Sequence, residues 1–199
     1  MTDRAHVLLS GGIDSTACVD HYRAAGREVG GIFVDYGQAA ARAEAAAAGR
    51  IAAHFGIGLR TLTLGSARPS GTGLILGRNG FLIFAALLDV GAAGGTIALG
   101  VHAGTDYFDC SAAFIEAMRQ MVGACSGGAA DLEVPFANWF KHQIFDYARQ
   151  RKLPLHLTYS CEAGTDPPCG SCLSCHDIRI DQLTRQQAAK AAPAQPGGL

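Results

Sequence analysis

His6-Val7-Leu8-Leu9-Ser10-Gly11-Gly12-Ile13-Asp14-Ser15-Thr16 is the stretch that decides the fold. His6 to Leu9 predicts a buried strand, and a helical pattern runs from Thr16 to Ala25, so the glycine pair falls where a strand hands over to a helix. Glycines let the backbone come close to phosphate oxygens, and a helix start offers N–H groups with positive dipole character. Ser10 and Ser15 add hydroxyl donors, and Asp14 can orient the loop or reach Mg2+. The competing reading is an ordinary glycine turn. No Gly-Lys-Ser/Thr follows, which excludes the Walker loop of enzymes that cleave at the γ-phosphate.

Outward from that turn, short β-type runs alternate with longer helical ones. Strands are expected at Val29–Val34, Leu59–Leu64, Thr96–Val101, Leu132–Val134 and Leu155–Tyr159. Helices are expected at Ala39–His54, Asn79–Val90, Ser111–Val122 and Trp139–Gln150. This alternation predicts an α/β fold, a Rossmann-like doubly wound parallel sheet. Residues 65–77, rich in Gly, Ser, Thr and Pro, read as a loop of the kind that covers substrates. The Ala-, Gln- and Pro-rich tail, residues 186–199, lacks the means to build a core and is expected to be disordered.

The chain has 199 residues, of which 49% are hydrophobic, and a mean hydropathy of +0.16, enough for one domain with a small appendage. No apolar run reaches the ~18 residues of a membrane span, and none resembles a signal peptide, so a cytoplasmic protein is expected. A net charge of −1 gives no global attraction for nucleic acid.

Four of the seven cysteines fall in Cys161-x7-Cys169-x2-Cys172-x2-Cys175. Four thiolates can close a tetrahedral zinc site, leaving no open position and so a structural role. An iron–sulfur cluster is the rival. Its usual run continues to a further Cys and Pro, which are missing here. His176 reads as a surface residue beside the cluster, and Cys18 and Cys125 as core. Cys110 reads as a buried hydrophobe before a nucleophile, and His102 as a loop residue lining a pocket.

The hexamer Ser10–Ser15 resembles the PP-loop of ATP pyrophosphatases, which cleave between the α- and β-phosphates. Together with Asp35-Tyr36-Gly37-Gln38, Gly77-Arg78-Asn79, Gly100 through Asp109-Cys110, Lys141 and the Cys-Gly-x-Cys-x-x-Cys run, it resembles the 7-cyano-7-deazaguanine synthase family. The resemblance spans about residues 6–180. It implies an ATP-binding α/β domain over 1–155 and a zinc lobe over 156–185. It also implies an ATP-dependent ligase that adenylates 7-carboxy-7-deazaguanine, amidates it with ammonia and proceeds to the nitrile. Mg2+, Zn2+ and a homodimer come with it.

ATP is expected against Ser10, Gly11, Gly12, Ile13, Asp14, Ser15, Tyr36, Gly37, Gln38, Arg78 and Asn79. Catalytic roles fall to Asp14, Ser15, Arg78, Lys141 and Asp109. Arg78 and Lys141 are the candidate cations, against the simpler reading of each as a surface side chain. Asp109 would contact the substrate's amino-pyrimidine edge or Mg2+, or else cap the helix near Ser111.

Two departures stand beside the expected pocket. Ala39 and Ala40 replace the family's usual basic residues after Tyr-Gly-Gln, and the stretch to Cys110-Ser111 is shorter and lacks an arginine. A divergent member that joins the activated acid to a protein amine, as in phage defence, is therefore an alternative. A tRNA thiolase and a catalytically silent scaffold are two further ones.

Overall fold

The computed structural model describes residues 3–64 and 73–191, so part of the loop expected at 65–77 and the end of the tail lie outside the described residues. Five strands form one parallel sheet: β1 (Arg4–Leu8), β2 (Glu28–Asp35), β3 (Leu59–Thr63), β4 (Gly95–Ala98) and β5 (Ala130–Glu133), in the order β3-β2-β1-β4-β5. Between and after them run α1 (Ile13–Ala24), α2 (Ala41–Phe55), α3 (Arg78–Val90), α4 (Ala112–Cys125), α5 (Lys141–Gln150) and α6 (Leu173–Ala191).

The alternating direction of side chains along β1 explains the two-sided core. Val7 and Leu9 enter a cluster with Ala17, Ile51 and Ile144 from α1, α2 and α5. Leu8 turns to the other face and joins Ile83, Ile115 and Val122 from α3 and α4. Both faces of the central strands β1, β2 and β4 are covered, while β3 at the edge stays largely exposed. The strand order reverses between β1 and β4, and a crevice outside their C-terminal ends is where an open α/β sheet binds ligands.

Three expectations are corrected. Leu155–Tyr159 is no strand: Leu155–Leu157 forms a short 3-10 turn, with Leu157 N–H donating to Pro154 O at 2.9 Å. Leu155 and Leu157 pack against the α1/α2/α5 core, so their apolar spacing reflects packing and not sheet pairing. The helix α6 was not anticipated and continues to Ala191, past Gln186 where the tail was expected to start. Gln and Ala have good helix propensity, and Asp181 ties α6 to Arg149 of α5 at 2.6 Å. Cys125 is exposed at the end of α4, whereas Cys18 is buried as expected.

Candidate active site and cysteine cluster

The first helix begins earlier than its apolar pattern suggests, at Ile13, so Asp14 and Ser15 belong to its first turn. Its first ladder hydrogen bond runs from Thr16 N to Gly12 O at 3.0 Å, and no side chain caps the helix start. The amides of Ile13, Asp14 and Ser15 therefore lie outside the helix ladder, which is the arrangement that binds anions. Gly11 holds the turn at φ +80, with the site of a Cβ only 2.6 Å from Ala48 N of α2. Gly100, after β4, lies against the same turn: a Cβ there would stand 3.1 Å from Ser15 N. Ser10 Oγ and Ser15 Oγ are 3.3 Å apart.

The expected cations both reach this cleft. Lys141 Nζ, at the start of α5, donates to Asp14 Oδ1 and Oδ2 at 2.8 and 2.7 Å, bridging 127 positions of sequence. Arg78, at the start of α3, lines the cleft with Tyr36 and Gln38. Gln38 is occupied internally. Its Oε1 accepts from Tyr36 N, and its Nε2 donates to Val34 O and to Glu44 Oε2. That bonding closes the turn after β2, with Gly37 N donating to Asp35 Oδ1.

Asn79 and Asp109 are both buried, and Asp109 does not line the cleft. Nor does Asp109 cap α4: Ser111 Oγ does, accepting from Phe114 N at 3.2 Å. Cys110 lines the cleft, and burial pushes its thiol up, away from the thiolate that a nucleophile needs. His102 also lines the cleft, with Nδ1 2.6 Å from Ala103 O.

Sequence reasoning missed a whole wall. Tyr159, Ser160, Glu162, Ser174 and Asp177 line the cleft from the cysteine-bearing segment. Tyr159 N donates to Gly11 O at 2.9 Å, joining that segment to the turn after β1. Glu162 accepts from Gly73 N at 2.9 Å and from Ser174 Oγ at 3.1 Å. Burial pushes the Asp177 carboxyl up, with Lys141 and His102 pulling the other way. These residues flank the cysteines at 161 and 175. That adjacency was the only signal in the sequence, and it said nothing of where the segment docks.

The sulfurs of Cys161, Cys169, Cys172 and Cys175 all lie within 4.8 Å of one another. Four thiolates around one tetrahedral ion at about 2.3 Å fit such a spread. In a cubane cluster each thiolate binds a different iron, which holds the sulfurs further apart. Cys169 N donates to Cys161 Sγ at 3.3 Å and Cys172 N to Cys169 Sγ at 3.4 Å. Burial opposes ionisation of both buried thiols: hydrogen bonds led by the amides of Cys169 and Ala163 bring Cys161 down, whereas burial and the neighbouring thiols push Cys175 up. The cluster suits a metal that wants thiolate.

The model of the family "Queuosine biosynthesis protein QueC" matches residues 4–71 and 72–186. A 7-cyano-7-deazaguanine synthase of Synechococcus sp. (strain RCC307) is 31% identical, over 96% of this chain and 97% of that protein. One from Oceanobacillus iheyensis is 33% identical, over 86% of this chain and 90% of that protein. Among solved structures, the NH3-dependent NAD synthetase of Campylobacter jejuni covers 99% of this chain and 90% of its own, with a TM-score of 0.51 and 16% identity, a likeness of fold alone. With the family model matched along nearly its full length and relatives above 30% identity over most of it, this chain belongs to the QueC family.

Proposed function

We propose that this protein is an ATP-dependent carbon–nitrogen ligase that converts 7-carboxy-7-deazaguanine to 7-cyano-7-deazaguanine, within queuosine biosynthesis. The carrying observation is the uncapped start of α1 at the strand-order reversal, with Lys141 held on Asp14 beside it. A carboxylate is a poor acyl donor, and attack of its oxygen on the α-phosphate of ATP makes AMP the leaving group. Charge builds on the departing pyrophosphate, where the amides of residues 13–15, the Ser10 and Ser15 hydroxyls and Lys141 stabilise it. One such group is worth about 3–4 kcal/mol in a site that excludes water. Ammonia then displaces AMP to give the amide. A second activation, of the amide oxygen, allows its elimination to the nitrile.

Arg78 supplies the second cation, facing Tyr36 and Glu44 across the cleft. Mg2+ would arrive with the triphosphate, and Asp14, Glu44, Glu162 and Asp177 are the carboxylates that line the cleft. Zn2+ is the ion that fits the four sulfurs, with every position taken by protein and hence a structural part. A cytoplasmic homodimer completes the reading.

A second reading keeps the activation and changes the acceptor to a protein amine. Ala39 and Ala40, in place of basic side chains, favour it, and Gly164 of the cysteine segment packs on their backbone, with a Cβ site 2.3 Å from Ala39 O. Exposed Leu76, Phe108, Phe140 and Leu173, on four segments beyond the C-terminal ends of the strands, would give a polypeptide an apolar rim.

The test is to incubate the enzyme with ATP, Mg2+ and 7-carboxy-7-deazaguanine and to assay AMP and pyrophosphate. Dependence on ammonia supports the synthase, and dependence on a protein amine the second reading. A requirement for tRNA would instead identify a thiolase, and no AMP under any condition a scaffold. Asp14→Ala should abolish AMP formation, about 100-fold or more, with the fold intact. Production of ADP and inorganic phosphate would overturn the proposal.

A further inference from the structure

We infer that Asp109 is a positioning residue: it never touches substrate but sets the direction of Arg78 through Asn79. The inference rests on the reading of the cleft as an ATP site, and adds how one of its cations is aimed.

The start of α3 has no cap of its own. Gly77 precedes it in a left-handed conformation, φ 75, and no side chain there accepts a helix amide. The acceptor comes from 30 positions away. Asp109 Oδ2 takes the N–H of Asn79 at 3.2 Å, placing a carboxylate at a helix N-terminus, where the dipole favours it. The same pair makes a second link, with Asn79 Nδ2 donating to Asp109 O at 3.0 Å. Asn79 Nδ2 also reaches Cys110 Sγ at 3.7 Å. Both links are shut off from water: Asn79 is 2% exposed and Asp109 7%.

The consequence is at the other end of the amide. With Nδ2 donating to the main-chain O of Asp109, whose place the carboxylate fixes by holding the Asn79 N–H, Asn79 presents Oδ1 to Arg78, and Arg78 Nε donates to it at 3.2 Å. An arginine tethered at Nε turns its two terminal nitrogens into the cleft beside Tyr36, as a planar fork suited to paired phosphate or carboxylate oxygens. Arg78 and Asn79 line that cleft and Asp109 does not. A long flexible side chain would otherwise lose rotamer freedom on every binding event, and the Asp109–Asn79 pair removes that cost in advance.

The test is a double-mutant cycle on the dissociation constant for ATP, measured by calorimetry without any acid substrate. Arg78→Ala and Asp109→Ala should each weaken ATP binding about tenfold or more. Asp109→Ala in the Arg78→Ala background should add less than about twofold, because the pathway it served is gone. Asp109→Asn keeps an oxygen for the Asn79 amide, and should recover most of what Asp109→Ala loses. Multiplying losses in the double variant would overturn the inference, and so would an Asp109→Asn protein as weak as Asp109→Ala. Should Asp109→Ala fail to fold, the same cycle is run with Asn79→Ala, which breaks the relay in its middle. The cycle does not depend on turnover. A protein that binds ATP and obeys it, yet forms no AMP, would sink the ligase reading and leave the relay standing.

Discussion

The turn after β1 and the segment that carries the cysteines meet through Tyr159 N and Gly11 O, 2.9 Å apart, yet different physics holds each of them. The turn is clamped by the core. Leu9 before it and Ile13 after it are buried, and Gly11 is wedged against the backbone of α2. The cysteine segment buries only Cys161 and Cys175 among its four thiols, and gathers four sulfurs within 4.8 Å of one another, where a metal could bind. One wall of the cleft is thus built by hydrophobic burial, and the facing wall would be braced by the metal proposed for its four sulfurs. The first should persist in any condition that keeps the sheet folded, while the second should come and go with the ion.

Losing one sulfur should give the largest effect and divide the two walls most clearly. In Cys172→Ser we expect the bound metal to be lost and the melting temperature to fall by on the order of 10 °C, since a structural ion contributes folding free energy directly. AMP formation should drop about 100-fold, because Tyr159, Ser160 and Asp177 no longer face the turn. Far-UV circular dichroism should still show the α/β sheet. A variant that kept both its metal and its melting temperature would break the comparison at its metal end.

Gly11→Ala attacks the other wall. A Cβ at φ +80 would lie 2.6 Å from Ala48 N and 2.7 Å from Ala47 Cβ, so backbone must move. Strain and overpacking together cost about 2–3 kcal/mol, or roughly 5–10 °C in melting temperature. Added zinc should restore none of it, and metal content measured by atomic absorption should stay at the wild-type level. Loss of metal in this variant would mean that the turn also supports the lobe.

The two walls were not equally legible. The strand–glycine–helix handover at residues 6–16 is local in sequence, and the structure keeps it local; the helix starts at Ile13 where Thr16 is expected, and the strand runs Arg4–Leu8 where His6–Leu9 is expected. The cysteine spacing likewise named its own cluster. What no local pattern carried is the docking of the segment on the sheet, and with it the places of Tyr159, Ser160, Glu162 and Asp177 in the cleft. Lys141 was identified as a candidate cation, but its partner stands 127 positions away, a pairing set by the packing of α5 on α1. Asp109 was read from its place after β4. Its carboxylate instead serves α3, because a helix start without a cap draws the nearest buried acceptor.

The smallest expected effect sharpens the comparison by pH. His6, in the middle of β1, is 3% exposed, with Nδ1 3.4 Å from an Arg60 nitrogen that also pairs with Asp89 at 2.7 Å. Burial, reinforced by the Arg4 and Arg60 cations, holds its imidazole below the ordinary 6.5. The folded protein therefore keeps His6 neutral where the unfolded chain takes up a proton, so stability is lost as pH falls through 6.5 towards the folded value, and changes no further below it. The slope from this one group is at most about 1.4 kcal/mol per pH unit. Acid would also release a metal bound to these thiolates, which would give the cysteine wall a pH dependence of its own. Urea titrations of wild type and His6→Gln from pH 7 to 5, with and without chelator, separate the two. His6→Gln should flatten the pH dependence by the same amount in both series, because His6 belongs to the core. A difference that vanished with chelator would assign the acid sensitivity to the metal wall instead.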